Sequence, residues 1–98
     1  MASDPFFAAV EARRTIYALS DSSPIPDARI VEIVHKAIRH VPSSYNVQSA
    51  RVVVTLKEEH KKVWDFADAA IKETMPEAVY SMLAPRFVGF RAAYGSVC

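Results

Sequence analysis

Arg13-Arg14-Thr15 sets two guanidinium groups beside a hydroxyl. A guanidinium binds phosphate through paired, charge-assisted hydrogen bonds, so this segment suits a phosphate group. Further along, Pro42-Ser43-Ser44-Tyr45-Asn46-Val47-Gln48 crowds hydroxyl and amide side chains into seven residues, without a glycine to relax the backbone. That is more donor and acceptor capacity than a simple turn needs, and it could grip the edge of a flat polar ligand. Each segment also has a plainer reading. The arginines could simply sit at the negative end of a helix, and the Ser and Asn side chains could bond their own backbone in a helix-to-strand connection.

The elements that must position these residues follow from periodicity and punctuation. Ser3 or Asp4 can cap a first helix that begins at Pro5 and carries Phe6, Phe7 and Val10 toward Arg13. Ser22-Ser23-Pro24-Ile25-Pro26 reads as a linker, and Asp27 opens a second helix with Ile30, Val31, Ile33, Val34, Ala37 and Ile38 on its apolar side. Arg51-Val52-Val53-Val54-Thr55-Leu56 reads as a strand, whose unbroken β-branched run predicts helices on both faces. A third helix runs from Lys57 to about Met75, with Glu58 and Lys62 spaced for an ion pair. Pro76-Glu77 opens a fourth, which Pro85 is expected to break before a short helix from Phe87 to Ala92. Ala93 to Cys98 reads as the opening of another strand, so the chain looks unfinished there.

Composition excludes several function classes. The net charge is +1, from 12 basic and 11 acidic residues that alternate without forming a block, so nucleic acid is not indicated. No apolar run approaches the roughly 20 residues that cross a bilayer, and the N-terminus lacks a secretory pattern. A soluble intracellular protein, cytoplasmic or nuclear, is the expectation. The single cysteine, Cys98, forbids an internal disulfide and a cysteine-based zinc site. Only Gly89 and Gly95 occur, so no glycine-rich loop can bring backbone amides onto a phosphate. His35, His40 and His60 have no metal-ligand spacing and read as surface or helix-end residues, while Trp64, Phe66, Phe87 and Phe90 read as core packing. At 51% hydrophobic content, a chain this short should leave an apolar face exposed.

The Arg13-Arg14-Thr15 segment followed by Pro-Ser-Ser-x-Asn-x-Gln resembles the FMN-dependent nitroreductase family, especially its fungal nitroreductase-like branch. The resemblance covers essentially the whole chain but only the N-terminal half of the family. It implies an α+β sandwich fold, present here as one partial domain over residues 1–98: mostly helices, one complete strand at about Arg51–Leu56 and the start of a second. Many relatives follow the Gln with Pro-Trp, whereas Ser49-Ala50-Arg51 follows here, as in the fungal branch.

The same resemblance implies roles. Arg13 and Thr15, with Arg14 beside them, would hold the flavin phosphate; Pro42, Ser43, Ser44, Asn46 and Gln48 would face the ring and ribityl chain from the other subunit of an intertwined dimer. Tyr17 stands where relatives often carry a further basic residue. The implied reaction is oxidoreduction: NAD(P)H reduces FMN, which reduces a nitroaromatic, quinone or similar small-molecule acceptor, with no protein residue acting as nucleophile. The implied partner is a second copy or a full-length relative. The alternative is a non-catalytic chain acting as a dimerisation or interaction module.

Overall fold

A computed structural model describes all residues 1–98. Helix α1 spans Asp4–Ala12 and α2 Asp27–His40; a 3-10 turn covers Ser44–Asn46; strand β1 is Val54–Leu56; α3 is Lys57–Thr74 and α4 Glu77–Arg91; strand β2 is Gly95–Val97. The two strands pair antiparallel, Val54 opposite Val97 and Leu56 opposite Gly95. Both termini of the ladder are extended by backbone bonds: Val53 and Cys98 exchange two of 2.9 Å, and the Lys57 amide donates to the Tyr94 carbonyl at 2.8 Å.

The strand is shorter than its β-branched run. The antiparallel register leaves Arg51 and Val52 opposite no residue of β2, so their backbone groups have no ladder to join. Nor is the strand enclosed by helices on both faces. Helix α3 is the one packed against both β1 and β2, and Val53 remains 58% exposed.

The core sits where α3 crosses α4. Trp64 meets Phe87 and Phe90 at ring-centroid distances of 6.2 and 4.9 Å, within the range where tilted aromatic pairs attract. Phe66, expected beside them, is instead 77% exposed. Two residues after Trp64 it lies about 200° around the helix, on the face turned away from α4. Pro85 does not break α4, which continues from Glu77 to Arg91. Its missing N–H removes one helical bond, but contacts on either side tie the helix to α3: Tyr80 donates to Asp68 at 2.8 Å, and Arg91 to Asp65 at 2.7 Å. On the outer face of α3 the ion pairs run three residues apart, Glu58 with Lys61 and Glu59 with Lys62, rather than Glu58 with Lys62.

His60 is the clearest departure from the expected surface histidines, being fully buried. Its Nδ1 lies 2.9 Å from Ser96 Oγ and its Nε2 3.0 Å from the Phe90 carbonyl oxygen. These partners come from β2 and α4, which satisfy both ring nitrogens and make burial affordable.

Residues 1–53 lie apart from this core. Neither α1 nor α2 contains a buried residue. The accessible surface totals 8250 Å², where a compact chain of this mass would show about 5,600 Å². The radius of gyration, 16.9 Å, likewise exceeds the roughly 13 Å of a compact domain of this length. Phe6, Phe7, Val10, Ile16 and Tyr17 are among the exposed apolar residues, as the composition implied.

Candidate functional site

Helix α2 ends where Val41 adopts extended backbone, and its capping N–H still reaches the Ala37 carbonyl. Pro42 cannot extend the helix, so the chain turns into the polar loop. Ser43 organises that loop twice over. Its carbonyl accepts the Asn46 amide at 2.9 Å, and its Oγ accepts the Gln48 amide at 3.2 Å. Tyr45, Asn46 and Gln48 have φ values of 53, 54 and 54°, in the left-handed region. For residues other than glycine this costs of order 1–2 kcal/mol each, which concentrates strain in a segment already rich in donors and acceptors. Neither the Asn46 nor the Gln48 amide side chain is used by the protein, and Tyr45 projects into solvent.

The loop opens on a groove of about 770 Å³ between α2 and the strands. Pro42, Ser43, Asn46 and Gln48 line it, along with the apolar Ile33, Val34, Ala37 and Ile38 of α2 and Val97 of β2. Ser44 does not. Its charged and titratable lining residues are Arg39, His40 and Arg51, with no carboxylate among them. Arg51 is held by the Gln48 and Ala50 carbonyls at 3.2 and 2.8 Å, whereas Arg39 has no acidic partner. The size falls within the range of small-molecule sites, about 300–1,000 Å³, and an apolar floor with a few polar groups is their usual lining. A single sign of charge favours an anionic ligand. Arg39 and Arg51 were not anticipated from sequence, since neither sits in a dense polar run.

The Arg13-Arg14-Thr15 segment lies elsewhere. Arg13 is the C-terminal cap of α1, and its guanidinium donates to Thr15 Oγ1 at 3.1 Å. Arg14 folds back onto the carbonyls of Glu11 and Arg13 at 2.6 and 2.8 Å, which is the helix-end role. None of the three lines the groove, and no hydrogen bond joins them to the loop. Within one chain, the two candidate segments therefore do not converge.

A third cluster joins α2 to the core. Asp27, in the first turn of α2, accepts a short hydrogen bond from the Tyr94 hydroxyl and forms an ion pair with Lys57 at 3.0 Å. The Tyr94 bond, then Lys57, hold the Asp27 carboxyl below the ordinary carboxylate range. The same Asp27 contacts raise Lys57 and Tyr94, with desolvation adding to the rise at Tyr94.

A strained polar loop over a cationic groove is thus attached to a core of α3, α4 and the two-stranded sheet, an α+β arrangement. Residues 10–89 match the model of the Nitroreductase family, and the chain belongs to that family. It is 43% identical over 63 residues to the putative nitroreductase HBN1 of Saccharomyces cerevisiae, covering 62% of this chain and 33% of that protein. To the nitroreductase FRM2 of the same yeast it is 32% identical over 74 residues, covering 71% of this chain and 35% of the relative. The chain thus spans about a third of the length of these curated relatives. Among solved structures, nitroreductase CinD from Lactococcus lactis in complex with chloramphenicol superposes with a TM-score of 0.73 at 29% identity, over 94% of this chain and 45% of CinD. The fungal nitroreductase-like resemblance and the partial nitroreductase fold are both borne out.

Proposed function

We propose that the chain contributes to an FMN-dependent oxidoreductase that passes electrons from NAD(P)H to a nitroaromatic, quinone or related acceptor. The observation that carries this reading is the loop at Ser43–Gln48, strained and rich in free donors, opening on a groove lined by cations and apolar side chains. Its dimensions fit a flat, polar-edged, anionic ligand of flavin size. Asn46 and Gln48 would orient the ring through their amides, Ser43 would bond the ring edge or ribityl hydroxyls, and Pro42 would shape the wall. Ser44, which lies off this groove, would reach the ligand only once a second chain completes the site. Arg13 and Thr15 would hold the phosphate, with Arg14 as a neighbouring charge. Since these two sets do not meet in one chain, a site built from two chains, each lending one set, accounts for both. A bound flavin supplies the chemistry itself, accepting hydride and returning electrons, so the protein needs only to bind, orient and shield it. The test is an absorbance spectrum of the chain after incubation with FMN and gel filtration. Flavin co-eluting with a dimer supports the reading, and a folded, colourless protein overturns it.

The large exposed surface favours a second reading, a non-catalytic module that pairs with a full-length relative. Mixing the chain with such a relative and measuring the mass of the complex separates the two: a tight, flavin-free heterodimer supports this reading, and a flavin-loaded homodimer that turns over opposes it.

A further inference from the structure

The polar links between residues 1–53 and the core form two small groups. One is the pair of backbone bonds between Val53 and Cys98. The other is Asp27, whose carboxylate takes the Tyr94 hydroxyl on one oxygen and the Lys57 ammonium on the other. Little apolar packing supplements them, since α2 has no buried residue and only Ile30 and Val34 of its apolar side are half-buried. Helix α2 is therefore pinned near its N-terminus, while its C-terminal half, Ile33 to His40, lines the groove opposite Val97.

The geometry makes Asp27 a lever. Tyr94 immediately precedes β2, and Lys57 immediately follows β1, so Asp27 grips the two-stranded sheet at the end where the chain leaves β1 and enters β2. Lys57 is itself held at a φ of 56°, and its amide is tied to the Tyr94 carbonyl at 2.8 Å. The two side chains that grip Asp27 are thus fixed to each other through the backbone. From Asp27 to His40 the helix rises about 20 Å, so a pivot of about 10° at the clamp displaces the groove wall by about 3.5 Å. Binding constellations tolerate only about 0.5 Å of misplacement before contacts are lost.

We infer that Asp27, clamped between Lys57 and Tyr94, is a positioning residue that sets the distance between the α2 wall of the groove and β2. Its consequence for flavin rests on the functional reading above; its consequence for the position of α2 does not. Asp27 touches no ligand in this scheme and acts only through the helix it anchors.

The test places a spin label on the exposed Cys98, beside β2, and a second on Lys36→Cys, outside the groove, in labelled chain diluted into unlabelled chain. The dipolar distance distribution without flavin should be narrow in this parent and broadened in Asp27→Ala. Asp27→Glu should restore much of the narrowing, because it keeps the charge. Tyr94→Phe, which preserves the Lys57 ion pair and perturbs folding least, should fall between. Retention of FMN should weaken about tenfold or more in Asp27→Ala, with partial recovery in Asp27→Glu. A distribution in Asp27→Ala and Tyr94→Phe as narrow as in the parent overturns the proposal. Undiminished FMN retention by Asp27→Ala, where the parent retains flavin, overturns the positioning role. A parent that binds no flavin refutes the functional reading, and the distance measurement still decides whether Asp27 positions α2.

Discussion

His60 Nδ1 and Ser96 Oγ lie 2.9 Å apart inside the core, and the Trp64 indole N–H donates to the same oxygen at 2.9 Å. The Phe90 carbonyl at His60 Nε2 can only accept, so Nε2 donates and Nδ1 is left to accept from the Ser96 hydroxyl. Ser96 thus gives one hydrogen bond and takes another, joining β2 to two residues of α3. The pairing of a serine with a histidine is structural here, because the ring is closed to solvent and no carboxylate orients it. Ser96→Ala should leave Nδ1 and the indole N–H without partners, destabilising the core by about 2–4 kcal/mol. Urea unfolding followed by Trp64 fluorescence measures this, with Cys98→Ser as a control expected to stay within about 0.5 kcal/mol. A Ser96→Ala midpoint equal to that of the control would remove Ser96 from the core's polar accounting.

The Asp27 clamp should fail at both extremes of pH, for different reasons. Asp27 titrates lower in the folded chain than in the unfolded one, so its contribution is complete above the unfolded carboxylate value, about 4, and is lost as pH falls through the folded value. Tyr94 and Lys57 titrate higher when folded, so their contributions are complete below about pH 10 and are lost as pH rises through the folded values. Stability against pH should show a plateau with both shoulders. Asp27→Asn should reduce the acid shoulder without abolishing it, since Arg91 holds Asp65 low and Arg29 and Lys36 hold Glu32 low as well. An acid shoulder unchanged in that variant would assign it to those carboxylates. All three side chains are partly solvated, so 1 M salt should reduce the effect.

What the sequence made legible divides along local and long-range lines. The bounds of α2 and α3 were readable because Asp27 opens an amphipathic repeat and Pro42 closes it, and because Glu58 to Ile71 keeps a helical period. The loop at Pro42–Gln48 stood out by composition alone. His60 did not, because its burial depends on Ser96, 36 residues away, and on Phe90, 30 residues away. The Asp27–Tyr94 bond spans 67 residues and leaves no local trace. Arg39 and Arg51 became candidates only once folding put them on one groove. Pro85 misled for a related reason: its local cost is real, but tertiary contacts to Asp65 and Asp68 outweigh it.

That cost should be recoverable. Pro85 sits inside α4 with no N–H to give, so Pro85→Ala restores a donor and removes a poor helix former. A stabilisation of about 1–3 kcal/mol is expected, with a small gain in far-UV helical signal. Thermal unfolding by circular dichroism decides it. A loss of stability would show that the ring packs in a way the restored bond does not offset.

Arg13 and Asn46 should affect flavin differently, because their contacts fall on different parts of the ligand in the proposed function. Arg13→Ala removes a charge-assisted phosphate contact worth about 1.5–3 kcal/mol, so FMN should dissociate roughly ten- to a hundredfold more readily. Its absorbance maxima should stay in place, since the ring environment is untouched. Asn46→Ala removes an amide from the strained loop, where φ is 54°; it should shift the flavin absorbance or reduction potential more than the affinity. Riboflavin, which lacks the phosphate, separates the two roles further: Arg13→Ala should leave its affinity unchanged, whereas Asn46→Ala should alter its spectrum as it does that of FMN. Equal losses of FMN and riboflavin in Arg13→Ala would mean that Arg13 supports the fold of α1 and its neighbours rather than the phosphate.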